Sequence, residues 1–173
     1  MKVLSFAAMV CLTILVSSCT YENGDVPRPE PTPDPTPDPT PMVDPPTIWT
    51  GAKFTFEKPD GGNPNAETNQ DRITDKVWIS RGNNGGQIFN VVSESNSDKA
   101  SSPSGTQWAL GTTDNIENLT FSNFRTALGK PKTAVGQDLV LLLVEENIAI
   151  DIKITKWSTN RRGGFAYERS TSQ

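Results

Sequence analysis

The sequence predicts an all-β domain, an antiparallel β-sandwich or open barrel with one short helix, preceded by a disordered Pro-rich linker. Three observations carry that expectation. From Thr47 onward, short runs of β-branched and aromatic residues alternate with polar ones between clusters of Gly, Asn and Ser. Ten of the fourteen prolines fall within residues 27–46, where neither helix nor sheet can form. Helix start and stop signals coincide only at residues 122–128. The chain therefore divides into residues 1–18, 19–46 and 47–173, the last long enough to bury one core.

The first segment carries one charge, on Lys2, then an apolar run from Val3 to Val16. That run is shorter than the ~20 residues needed to span a bilayer, and fits the apolar region of a secretory signal peptide. "Val16-Ser17-Ser18-Cys19" resembles the bacterial lipobox. By that resemblance Cys19 becomes the first residue of the mature chain and carries the acyl groups that anchor it to a membrane. The other reading is an ordinary signal peptide whose cleavage site abuts a cysteine. Thr20, rather than Asp, follows Cys19, which in such lipoproteins implies the outer membrane. Glu22 and Asp25 resemble the acidic export tags of surface lipoproteins.

Proline then occupies every odd position from 27 to 41. Polyproline II at ~3.1 Å per residue makes this a semi-rigid spacer. Its alternative is a PxxP ligand for a partner domain, and Thr32, Thr36 and Thr40 are candidates for glycosylation.

In the domain, Phe54 and Phe56 are expected inward, alternating with Lys53, Thr55 and Glu57 outward. Residues 76–81 and 87–92 flank "GNNGG", a hairpin turn. Residues 93–105 read as a loop and 106–110 as a short strand. Residues 122–128 form the helix, with Ser122 as N-cap, Gly129 at its end and Pro131 beyond. Residues 138–144 are apolar on both faces, as in a central strand. "EEN" turns the chain, and Ile148, Ile150, Ile152 and Ile154 then face one way. Residues 164–169 make the final strand.

The segments "DRITDKVWISRGNNGGQIFN", "GTQWALGT", "VGQDLVLLLVEENIAIDIKITKW" and "GGFAYERST", in this order, resemble a domain of an uncharacterised family of secreted and surface-attached bacterial proteins. The resemblance covers residues 48–171. It implies an extracytoplasmic β-domain and assigns no catalytic residue.

Several chemistries are excluded. The chain has no histidine, so Ser-His-Asp and Cys-His triads and His-ligated metal sites are absent. Its two cysteines, Cys11 and Cys19, both precede the domain. A net charge of -4 without a basic stripe argues against nucleic acid. Glu145 and Glu146 are consecutive in a turn and so diverge, unlike a glycosidase pair. Oxygen-bearing side chains at 63, 65, 67, 69 and 71 suit Ca²⁺ in principle, but the EF-hand glycine and terminal glutamate are missing. The first expectation is a polar loop, no cofactor and no metal.

Among four tryptophans, two draw notice by parity. Trp78 shares a face with Lys76 and Ser80, opposite Val77 and Ile79. Trp157 shares parity with Lys153 and Thr155, opposite the isoleucines. Flat rings beside polar groups suit sugar stacking, with Lys76, Lys153 and Asp151 as hydrogen-bonding neighbours. The competing reading is that other elements cover these rings, or that a bulge shifts the register. The function expected is a non-enzymatic, lipid-anchored binding or adhesion domain of the bacterial envelope, with a glycan as first ligand class. The alternative is a structural or accessory envelope protein that binds another protein through a sheet edge. A small carboxylate-based glycoside hydrolase ranks last.

Overall fold

Four isoleucines at every second position specify the spine of the fold. In the computed structural model, which describes residues 44–173, they lie on β8 (Ile148–Trp157), the longest strand. Ile150, Ile152 and Ile154 are buried on one face while Asp151 and Lys153 are half-buried on the other. β7 (Asp138–Leu143) pairs antiparallel with β8, with Leu141 opposite Ile150. Leu139, Val140, Leu141 and Leu143 are all buried, so β7 is central as its apolar run predicts.

β6 (Thr106–Leu110) continues the sheet beyond β7. On the other side β9 (Phe165–Arg169) and then β2 (Phe54–Lys58) complete the order β2-β9-β8-β7-β6. A sixth strand, β1 (Thr47–Trp49), pairs parallel with the start of β8. β1 and β9 thus divide one edge of β8 between them: β1 takes Ile148 to Ile150, and β9 takes Ile152 to Trp157. The parallel pair is a departure from a purely antiparallel expectation.

The second sheet is small. β3 (Asp71–Arg72), β4 (Trp78–Arg81) and β5 (Ile88–Asn90) form it in sequence order, with the expected hairpin at residues 82–87. Ile73, Val77, Ile79 and Ile88 meet the isoleucines of β8, the leucines of β7 and Phe56, Phe165 and Tyr167 in one core. The architecture is sandwich-like. Helix α1 (Phe124–Leu128) closes one end by burying Phe124 against Trp108, ring centres 4.9 Å apart.

Two local expectations are corrected. The residue capping α1 is Asn123, not Ser122, which instead bridges to Trp108 on the edge of β6. Phe54 is not inward: it is 41% exposed, with Arg169 over its ring, while Phe56 and Lys58 of the same face are buried. The signal segment, Cys19 and the Pro-rich spacer lie outside the described residues. Among the described residues no helix is long and apolar enough to cross a membrane.

Candidate functional site

The five residues singled out as ligand-binding do not converge. Trp78 is half-buried on the outer face of β4, with the Arg72 guanidinium 4.2 Å over its ring. Its supposed polar neighbour Ser80 is fully buried and donates to the Asn69 carbonyl under a turn of 3-10 helix, Glu67–Asn69. Lys76 pairs with Glu145 at 2.9 Å, and Lys153 with Asp138 at 2.8 Å. These bonds raise both lysine pKa values. Asp151 accepts hydrogen bonds from the backbone N–H and the hydroxyl of Thr113, holding a 3-10 segment (Thr113–Asn118) beside β8. Asp151 and Lys153 do share a small recess with Asp138, of about 80 Å³.

Trp157 is elsewhere. A bulge between Ile154 and Lys156 puts one extra residue into β8, so that Trp157 pairs with Phe165. Parity flips, and the ring turns away from Lys153 toward the core, 6.0 Å from Phe165 and 6.3 Å from Phe124. The expectation that Trp157 shares the Lys153 face is therefore corrected. Arg81 lies 3.9 Å over the indole. Each indole thus carries a guanidinium over its ring.

Two buried cations surround this point. Arg81 and Lys58 both occupy core parity on their strands and are 3% and 0% exposed. Arg81 donates through Nη1 to the carbonyls of Gly164 (2.8 Å) and Ser158 (3.1 Å), and its Nε is buried without a partner. Lys58 donates to Asn83 Oδ1 (2.9 Å) and the Gly163 carbonyl (3.2 Å). Neither forms an ion pair among the described residues. Burial, the Arg125 charge adding to it and Asp60 opposing it, pushes Arg81 down to about 10. Burial and the Arg81 charge likewise lower Lys58.

The hairpin turn between β4 and β5 separates two recesses. On one side, about 830 Å³ is lined by Asn83, Asn84, Phe89, Asn96, Ser97 and Lys99, with Gly85 and Gly86 at the turn. No carboxylate lines it. Gly86 has φ +96°, and the Ser97 hydroxyl accepts from the Gln87 N–H at 3.3 Å, which brings residues 95–97 against the turn. On the other side, about 330 Å³ is walled by Trp157, Arg81, Arg125, Lys130, Lys132 and Arg161. Gly85 borders both.

The acids singled out by the sequence each have a partner. Glu145 and Glu146 do not diverge as expected: both turn to the loop before β4, Glu145 to Lys76 and Glu146 to the Thr74 hydroxyl, and both line one recess with Val77 and Asn90. Within the stretch considered for Ca²⁺, Asp71 is buried against Arg169 and Glu67 pairs with Arg72. Among the described residues no group of three or more Asp or Glu could hold a metal ion.

Sequence reasoning missed both recesses: the first depends on how residues 95–99 fold back on the hairpin turn, and the second joins stretches far apart in the chain. One signal was present: Lys58 and Arg81 are cations at positions where the strand pattern asks for apolar residues. No family profile, no curated protein and no solved structure matches the chain.

Proposed function

We propose that this chain is a non-enzymatic binding domain displayed on the bacterial envelope, tethered by lipid at Cys19, and that its ligand is a glycan. The observation that carries this reading is the recess at the hairpin turn. Amide and hydroxyl side chains over a Phe89 floor match a ligand rich in hydroxyl groups. Lys99 is the one titratable side chain lining it, so the paired acid and base of a glycosidase are missing there. The binding site thus moves from Trp78 and Trp157 to Asn84, Asn96 and their neighbours.

The experiment is titration of the full chain with dextran, polygalacturonate and dextran sulfate by calorimetry. At least one is expected to bind, and Asn84→Ala is expected to weaken it about tenfold, the loss of one or two hydrogen bonds. Failure of all three to bind, or an unchanged affinity in Asn84→Ala, would overturn the reading.

A second reading, a protein partner at a sheet edge, is favoured by β2. Among the described residues no strand pairs with its outer edge, and Phe54 is exposed on it. That reading expects a membrane partner to co-purify, and proline at Thr55 to abolish its capture.

A further inference from the structure

The cationic recess is the least explained feature of the molecule. The chain as a whole is acidic, at -4, yet five cations and no carboxylate line one concavity. None of the five forms an ion pair among the described residues. Three surface lysines elsewhere do find partners: Lys76, Lys153 and Lys156 each sit on an acid, whereas Lys53 and Lys99 do not among the described residues.

Burial makes the arrangement costly. A guanidinium removed from water is ordinarily matched by a carboxylate. Arg81 instead has two carbonyls and an aromatic face, and one nitrogen is left unsatisfied. Arg125, whose charge acts on Arg81, is itself half-buried and held by Gln87 Oε1 at 2.9 Å. Both positive charges are fixed by neutral acceptors, and both line the opening. The carboxylate whose charge opposes that of Arg81, Asp60, is taken up by Arg162 at 3.4 Å and forms no ion pair with Arg81, so a direct counter-ion would have to come from a ligand.

The backbone adds to this. Asn160 and Arg161 at the tip of the β8–β9 turn have φ of +56° and +59°. For arginine the left-handed conformation is unfavourable. It carries the Arg161 side chain beside Gly85, where a Cβ would lie 3.5 Å from its Cγ.

We propose that the recess walled by Trp157 and Arg81 binds an oxyanion, the sulfate ester or uronate carboxylate of an acidic polysaccharide. The polymer's neutral rings cross Gly85 into the adjoining amide-lined recess. This rests on the glycan reading above and specifies its charge. Guanidinium groups recognise planar or tetrahedral oxyanions through paired N–H donors, and Trp157 fixes the orientation of Arg81.

The test compares dextran sulfate, polygalacturonate and neutral dextran on the full chain at low and at moderate salt. Dextran sulfate or polygalacturonate is expected to bind more tightly than dextran, and to weaken as salt rises. Which of the two binds identifies sulfate or carboxylate as the group. The double variant Lys132→Ala/Arg161→Ala, at exposed positions, is expected to lose about tenfold or more in affinity for the acidic polymer. Lys76→Ala/Lys156→Ala, which removes two cations outside the recess, is expected to change it less than twofold. Equal losses in the two double variants would mean diffuse attraction and overturn the proposal. Tight binding of dextran alone would overturn it and leave the glycan reading standing. Binding of none of the three removes both.

Discussion

Asp71 and Arg169 form a bidentate ion pair between the two sheets, with Nη2 2.8 Å from Oδ1 and Nε 2.7 Å from Oδ2. Both side chains are almost wholly buried, and the Tyr167 hydroxyl donates to the same carboxylate at 2.6 Å. β3 contributes the acid and β9 the base, so the pair fixes how the sheets register on one another. Breaking one side leaves an uncompensated buried charge. Arg169→Met should therefore destabilise the domain by about 3–5 kcal/mol. Asp71→Leu/Arg169→Met should recover part of that loss, since no charge remains. Urea unfolding of the single and double variants measures both.

Tyr167 should resist ionisation. Burial first, and the neighbouring Asp71 charge next, push its pKa well above the usual 10.0. The folded state then keeps a proton that the unfolded chain releases, so this stabilisation is complete below pH 10 and is lost as pH rises beyond it. Absorbance at 295 nm should show one of the two tyrosines titrating only with unfolding, and Tyr167→Phe should remove that component. A titration in which both ionise before unfolding would contradict the geometry.

The two tryptophans should part company under mutation. Trp157 packs against Phe124 and Phe165 and carries Arg81, so Trp157→Ala should destabilise by about 3 kcal/mol or more. Trp78 has an exposed edge and one stacked arginine, so Trp78→Ala should cost about 1 kcal/mol. Comparable losses at the two sites, by urea unfolding, would place Trp157 back on a surface.

Gly163 admits no side chain. Its φ is +75°, and a Cβ would lie 2.6 Å from the Gly82 carbonyl oxygen and 2.9 Å from Asn83 Cα. Gly163→Ala should destabilise by about 3 kcal/mol through strain and overlap together. It should also separate the hairpin turn from Lys58, which holds both Asn83 and Gly163. Thermal unfolding gives the first effect. Hydrogen exchange at residues 82–87 gives the second.

Legibility in the sequence followed the range of the interaction. The isoleucines of β8, the two-faced β7 and the β4–β5 hairpin were readable because a two-residue period and turn chemistry are local properties. The parallel pairing of β1 was not, since nothing in "TIW" names a partner a hundred residues away. A bulge is subtler still. One additional residue at Thr155 leaves composition unchanged and reverses the side of Trp157, which dismantled the stacking site inferred from parity. The cationic recess depends on that same reversal. It joins Arg81 of a strand, Arg125 of α1 with Lys130 and Lys132 just beyond it, and Arg161 of the β8–β9 turn, three stretches far apart in the chain.

The shared edge of β8 has a mechanical reading. Everything that precedes Asp44 is attached where β1 meets Ile148, while the cationic recess opens beside Trp157, nine residues along the same strand. At ~3.3 Å per residue these points are roughly 30 Å apart. A pull between a held ligand and the N-terminal attachment would run lengthwise along β8, loading its flanking hydrogen bonds in shear, the direction in which a sheet yields least. β1, with only three paired residues, would be the first strand to give.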